Sequence, residues 1–391
     1  MALIGWRTSP RPSALIPDSL NLNLNMKNST TVWTAAAALL LFAVPAPAQD
    51  SGNDFQFGGE MRFRTTNSDA SINHTGRLRF NMAKELDQVV STFVEIQTNG
   101  TIGTELGDLT LHQAYMRLNG FGGDLFDVKA GRFEMNYGQG RMVSSYDWND
   151  GGSAWDGLLF QHATEDHTLD VIYTKAVSGQ PTGFGTVDAS TLAGLYYQRN
   201  IAGWDSDFYA LSREMDAGGS DLTLGALVEG SLQGFELSGE LASQSGEDAA
   251  NDDKSGSVII LDGTYDLGGE IKLGARYTMA DDFDPINDNA HFNNGHMDLV
   301  SLNDNLTDIA IYGLMPIDDN WSWYGVFHSF TGEEDGLFGD AIGNEIDLGI
   351  WGNVGEHTGF WAGYSTFMDG ERTGDDLADD SWFFAQVVLD F

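Results

Sequence analysis

The sequence predicts an all-β protein, a transmembrane antiparallel up-and-down β-barrel of eighteen strands, with sixteen as the alternative count. Three observations predict it. The chain ends in an amphipathic strand, Trp382 to Phe391, with Phe383, Ala385, Val387, Leu389 and Phe391 on one face and Gln386 and Asp390 on the other. A strand reads this way when one side meets lipid and the other a wet lumen. Segments of the same period recur along the chain, separated by Gly, Asn and Asp clusters. After residue 48 no apolar stretch is long enough to cross a bilayer as a helix.

Taken in order, strands are expected near 54–66, 75–85, 88–98, 109–119, 125–133, 155–162, 168–176, 190–199, 204–213, 221–230, 234–244, 257–266, 270–279, 305–315, 320–330, 344–353, 357–368 and 381–391. The first sets Phe55, Phe57, Met61 and Phe63 against Gln56, Glu60, Arg62 and Arg64. The second sets Leu78, Phe80 and Met82 against Arg77, Arg79 and Asn81. The tenth, eleventh and thirteenth show the same two faces, around Leu224, Leu237 and Leu273. With 48 Gly and only 8 Pro, the composition is that of many strands joined by turns. Short turns, such as Leu86-Asp87 and Leu267-Gly268-Gly269, alternate with longer connections at 67–74, 99–108, 134–154, 177–189, 245–256, 280–304, 331–343 and 369–380. That rhythm, with an even strand count, puts both termini on the periplasmic side. Trp155, Tyr173, Tyr196, Tyr197, Trp204, Trp321, Trp323, Trp361, Tyr364 and Trp382 fall near strand ends, where a girdle at the membrane interface is expected.

The compartment follows from both ends. Lys27, the apolar run Val32 to Val44 and Ala46-Pro47-Ala48 are the three parts of a secretory signal peptide cleaved after about Ala48, so 1–48 is an extension and leader and 49–391 the barrel. The expected location is the outer membrane of a Gram-negative bacterium, in contact with lipid and lipopolysaccharide. The terminal strand ending in Phe391 is the expected address for the barrel-assembly machinery. With no Cys the chain has neither a disulfide framework nor a thiolate metal site. Removing 1–48 takes 3 of 19 basic and 1 of 58 acidic residues, leaving a net charge of −41. That excludes nucleic acid as a partner. It fits solvated acidic loops, which can recruit Ca²⁺ or Mg²⁺ through carboxylates; no other cofactor is expected.

If the apolar faces point to lipid, the charges alternating with them point inward. The early strands then contribute Arg62, Arg64, Arg77, Arg79, Arg117 and Lys129, and the thirteenth adds Lys272 and Arg276. Facing them are Glu229, Glu236, Glu240, Asp262, Glu345 and Asp347. Such arcs either order passing solutes in a transverse field or pair to hold the wall, for example Glu60 with Arg77 or Arg79. The two roles can coexist. The long loop at 134–154 is the candidate constriction.

Its sequence carries a more specific signal. Gly131-Arg132-Phe133-Glu134, Tyr137-Gly138, Arg141, Asp147-Trp148-Asn149 and Asp156-Gly157 form a pattern that resembles the alginate-export family of outer-membrane porins. The resemblance implies an eighteen-stranded channel for a polysaccharide or a related acidic or sugar-like solute. It also implies that Arg132, Glu134, Tyr137, Arg141, Asp147 and Trp148 either narrow the channel or anchor its loop. Against alginate itself stands the acidity of the chain, which repels a polyuronate.

No catalytic motif is present, and no metal-ligand spacing. His291 and His296 share a loop with Asp281, Asp282, Asp284 and Asp288, read as a solvated acidic loop. The expected function is passive passage of small hydrophilic, sugar-like or acidic solutes. A general trimeric diffusion porin is the alternative in the same class, and an outer-membrane barrel hydrolase the alternative in another. The oligomer, monomer or trimer, is left open.

Overall fold

The computed structural model describes residues 55–391 except 69–70, 105–106, 178–180, 183–184, 187–189, 249, 251, 269, 303–304, 333–341 and 369–380. The expected leader at 1–48 lies outside the described residues. Eighteen strands form one sheet. They are β1 (Gln56–Ser68), β2 (Ser71–Glu85), β3 (Val90–Thr101), β4 (Thr110–Gly120), β5 (Phe126–Phe133), β6 (Trp155–Ala163), β7 (His167–Ala176), β8 (Ser190–Ile201) and β9 (Trp204–Met215). The second half comprises β10 (Ser220–Leu232), β11 (Phe235–Glu247), β12 (Asp253–Asp266), β13 (Lys272–Asp281), β14 (Thr307–Pro316), β15 (Trp321–Thr331), β16 (Gly343–Asn353), β17 (Thr358–Met368) and β18 (Ser381–Asp390). Each strand pairs antiparallel with its sequence neighbours, and β18 closes on β1 from Glu60 opposite Asp390 to Ser68 opposite Trp382. Closure leaves no unpaired edge in the bilayer.

The two-residue period sorts the wall into two faces. Outward, Phe57, Phe63, Leu224, Leu241, Leu261, Ile309, Ile311 and Phe383 are exposed to the lipid side. Inward, Arg62, Arg77, Asp170, Glu240, Asp308 and Glu345 are buried. The inner face is not purely polar. Phe133, Trp155, Ile172, Leu192, Leu211 and Ile260 are buried in the lumen against Met142, Val143, Phe283 and Ile286, which belong to connections rather than strands. The hydrophobic core of this barrel therefore lies inside it, between the wall and two inward loops.

Two details depart from the sequence expectation, and a third, a register shift, has no counterpart in it. The connection after β1 is not a loop over 67–74: the ladder runs through Asn67 opposite Ile72, leaving only 69–70 between the strands. Part of the aromatic girdle faces inward, because Trp155, Tyr196 and Trp361 have inner-face parity and are buried, whereas Tyr173, Trp323 and Tyr364 face out. The irregularity in the wall falls between β3 and β4, where the register shifts between Glu95 and Ile96.

Beyond the β1–β18 ladder the closing seam ends in a pair of backbone hydrogen bonds. The Phe391 N–H donates to the Gly59 carbonyl at 3.0 Å, and the Gly59 N–H to the Phe391 carbonyl at 2.8 Å. The terminal ring lies across Gly59, where a Cβ would come within 2.6 Å of the ring carbon Cζ. Deleting Phe391, or making Gly59→Val, is expected to reduce the fraction of chain that assembles, read as heat-modifiable migration on gels. Normal assembly of both variants would refute this account of the seam.

Candidate functional site

Among the described residues two loops fold into the lumen, residues 134–154 after β5 and 282–302 with 305–306 after β13. The first begins where β5 ends at Phe133, which is fully buried. At Gly138 the backbone adopts φ +54°, and a Cβ there would lie 2.8 Å from Leu227 Cδ2 and 3.1 Å from the Tyr196 hydroxyl. Only glycine tolerates both the left-handed conformation and that approach to the wall. Tyr137 stacks on Tyr196 with centroids 4.3 Å apart, and its hydroxyl donates to Asp170 at 2.9 Å. Arg141 is buried 3.6 Å from Glu240, and Gln139 donates to Glu229 at 2.5 Å. The loop thus crosses from β5 to the inner faces of β10 and β11.

Its far end is clamped by the early arginines. Arg62 and Arg77 stand directly opposite on β1 and β2, an arrangement of like charges that needs anions to be tolerated. Glu60 supplies one, at 2.7 Å from Arg77. The loop supplies the rest. The Asp147 carboxylate takes Arg77 at 2.9 Å and Arg79 at 2.8 Å, while Asp150 takes Arg62 at 2.6 Å. Backbone carbonyls complete the clamp: Arg62 donates to Asp147 and Asn149, and Arg64 to Trp148. The Arg64 guanidinium also lies 3.7 Å over the Trp148 ring, a cation–π contact strengthened by desolvation. Desolvation would raise the Asp147 carboxyl, but Arg77, Arg79 and Arg62 outweigh it and hold the group well below the usual carboxylate range.

Other charges expected inward do face inward, in pairs. Lys272 meets Glu236 at 2.8 Å, Arg276 meets Asp262 at 3.0 Å, and Arg117 meets Asp127 at 2.8 Å. Lys129 lies 4.7 Å over the Tyr115 ring. Glu134 accepts or shares a hydrogen bond with His112 at 2.6 Å.

Arg132 does not belong to the lumen. It sits opposite Asp156 in the outward row, next in register to Lys175, and its guanidinium makes a bidentate pair with Asp156 at 2.7 and 2.8 Å. The physical reason is parity: Phe133 and Lys129 point in, so the residue beside Phe133 must point out.

The connection expected at 280–304 as a solvated acidic loop instead packs inward. Phe283, Ile286, His291, Leu302 and Leu306 are buried. Arg213 and Lys254 hold Asp284 at 2.7 and 3.0 Å, and Glu345 on β16 accepts the Met297 N–H at 2.9 Å. The two loops lock to each other. The Asn287 N–H donates to the Met142 carbonyl at 3.0 Å, the Asn289 N–H to the Gly140 carbonyl at 2.9 Å, and the Asn287 side chain to the Ser144 carbonyl at 2.6 Å. Trp148 stacks on His291, with centroids 3.7 Å apart and planes 7° from parallel. Sequence reasoning missed Arg213, Lys254 and His291 as anchors. The signal available was the apolar content of this loop, with Phe283, Ile286, Phe292, Leu299 and Val300, which a solvated loop does not need.

Two outcomes follow from this packing. Trp148→Ala removes a ring buried among Arg64, His291, Trp361 and Phe384, and such truncations cost about 3–5 kcal/mol. Protease cleavage within 134–154 is expected to rise while the barrel stays folded; unchanged cleavage would show that the ring does not hold the loop. Docking of 282–306 is also expected to depend on pH. Burial raises Asp288 to about 7 and Asp298, a quarter exposed, to about 8. Burial lowers His296 to about 4 and holds His291 well below the ordinary imidazole value. The carboxyls bind their protons more tightly docked than undocked, so their contribution is lost as pH rises through about 7 and 8. The histidines are docked neutral, so theirs is lost as pH falls below the ordinary imidazole range. Between about pH 6.5 and 8 the carboxyl effect outweighs the fading histidine effect. Cleavage within 282–306 should increase across that window, and less so in Asp288→Asn; a flat profile would contradict it.

Comparison with known proteins agrees with this architecture. OprD from Pseudomonas aeruginosa superimposes with a TM-score of 0.64 at 11% identity, covering 86% of this chain and 94% of that one. OpdL from the same organism gives 0.65 at 11%, covering 86% and 99%. OccAB3 from Acinetobacter baumannii gives 0.64 at 8%, covering 86% and 100%. These likenesses concern the fold. No curated protein matches the sequence. The family model described as alginate export matches residues 52–295, more than half of the chain and including β1 to β13 with the first inward loop. The chain belongs to the alginate-export family of Gram-negative outer-membrane β-barrels.

Proposed function

We propose that this chain is a passive outer-membrane channel for small hydrophilic, sugar-like solutes, narrowed by the 134–154 and 282–306 loops and favouring neutral or cationic solutes over polyanions. The observation that carries the charge preference is which ends of the ion pairs are open. The Arg77 side chain is 0% exposed and the Asp147 side chain that caps it 50%. Arg62, Arg64 and Arg79 are likewise buried beneath the loop. Across the lumen, Glu236 is 61% exposed against 33% for its partner Lys272.

A solute therefore meets carboxylates where the sequence had suggested a basic arc. The arginines act on the loop, not on the traffic, and the acidic solutes that the sequence allowed would be repelled at Asp147. Asp147 is the residue with the largest expected influence on selectivity, because it is the exposed carboxylate paired with the buried Arg77 and Arg79.

Planar-bilayer recording of the purified protein tests both parts. Discrete conductance steps with a cation-selective reversal potential in a salt gradient are expected. Asp147→Asn should shift the reversal potential several-fold toward anion permeability. Insertion without steps would refute the channel, and an anion-selective wild type would refute the charge reading alone.

A further inference from the structure

We propose that Glu95, His112 and Glu134 form a binding site for a divalent transition-metal ion at the root of the 134–154 loop. One donor atom from each lies within 4.8 Å of the others, the only such group of three or more among the described residues. The donors come from three elements, Glu95 from β3, His112 from β4 and Glu134 from the first position of the loop.

The fold makes a special provision for the imidazole. Glu95 stands opposite Gln113 and Ile96 opposite Leu111, so His112 is an extra residue in β4. A bulge of this kind re-aims a side chain that regular alternation would send to the other face. His112 is consequently 3% exposed beside Gln113, while Leu111 is exposed on the lipid side. Gln113 orients the Glu95 carboxylate, its Nε2 donating to Glu95 Oε1 at 3.2 Å, and holds the Glu134 backbone, its Oε1 accepting the Glu134 N–H at 3.2 Å. Such outer contacts fix ligand geometry. The Glu134 side chain is 23% exposed, which leaves an approach from the lumen.

One imidazole and two carboxylates suit Zn²⁺, Mn²⁺ or Fe²⁺ better than Ca²⁺ or Mg²⁺, which take oxygen ligands. Three protein donors leave at least one position for water. The nearest opposing charge is Arg79, with Nη1 3.5 Å from Glu134 Oε1. It is already shared with Asp147 at 2.8 Å. Arg62, Arg64, Arg77 and Arg79 pair with Glu60, Glu134, Asp147 and Asp150, whereas Glu95 meets the neutral amide of Gln113. A bound ion would tie the first residue of the loop to β3 and β4, beside the Asp147 clamp with which the site shares Arg79.

The test is metal binding by the untagged full-length protein in detergent, stripped with chelator and titrated with Zn²⁺ by calorimetry and with Co²⁺ by visible absorption. One ion per chain is expected, with a Kd of roughly micromolar. His112→Ala and Glu95→Gln should each weaken binding by about tenfold or more. Binding should fade as pH falls below the ordinary imidazole range. Heat-modifiable migration checks that each variant is folded, and Glu95→Gln decides the matter if His112→Ala does not assemble. Absence of saturable binding, or unchanged binding in a folded variant, overturns the proposal. Conductance steps are scored separately, so a conducting chain that binds no metal leaves the channel reading standing.

Discussion

Burying four guanidiniums in the wall of a barrel is costly unless their charges and hydrogen-bond donors are met. β1 and β2 place Arg62, Arg64, Arg77 and Arg79 side by side on the inner face. The wall itself offers them few anions, with Glu60 the nearest. The 134–154 loop brings the missing ones, Asp147 and Asp150, together with three backbone carbonyls. The placement of the first loop depends on that clamp. Once the loop is drawn to β1 and β2, Trp148 is fixed, His291 can stack on it, and the second loop has a surface to lie against.

The arginine cluster and the aromatic lock reinforce each other through desolvation. Trp148 and His291 shield the guanidiniums from water, and shielding strengthens each charge-assisted bond. The same shielding raises Asp288 and Asp298 and lowers His291 and His296. The lumen thus contains a small interior of its own, with the packing and perturbed ionisation of a soluble core.

The wall was readable in the sequence because it depends on local rules. A period of two, a turn signal and an even count place β10 around Leu224 and β18 at the end of the chain, and the structure has both, with β18 ending at Asp390. Parity also put Arg62, Arg77, Glu240 and Asp262 on the inner face. What parity cannot convey is which inner charges stay open. Arg77 and Glu236 look alike in a strand pattern, yet one is sealed and the other is exposed, because a loop some seventy residues from Arg77 covers it. Arg132 differs for another reason: the motif resemblance implies a place at the constriction, whereas the alternation that Phe133 imposes turns it outward to Asp156. His112 faces inward by a bulge, for which the sequence offers no local signal. The buried loop at 282–306 looked polar by its aspartates, although its phenylalanines and leucines carried the opposite message.

Arg64 bears on the order in which the molecule is completed. Its Nη2 holds both the Trp148 carbonyl and Gln386 of β18, residues 322 positions apart from it in the latter case. The narrowing of the pore therefore cannot reach its final form before the last strand has arrived. A chain stalled short of closure would be not only incomplete but wide, a hole in the cell's permeability barrier. Coupling the constriction to the final strand makes the finished barrel and the restrained one the same object.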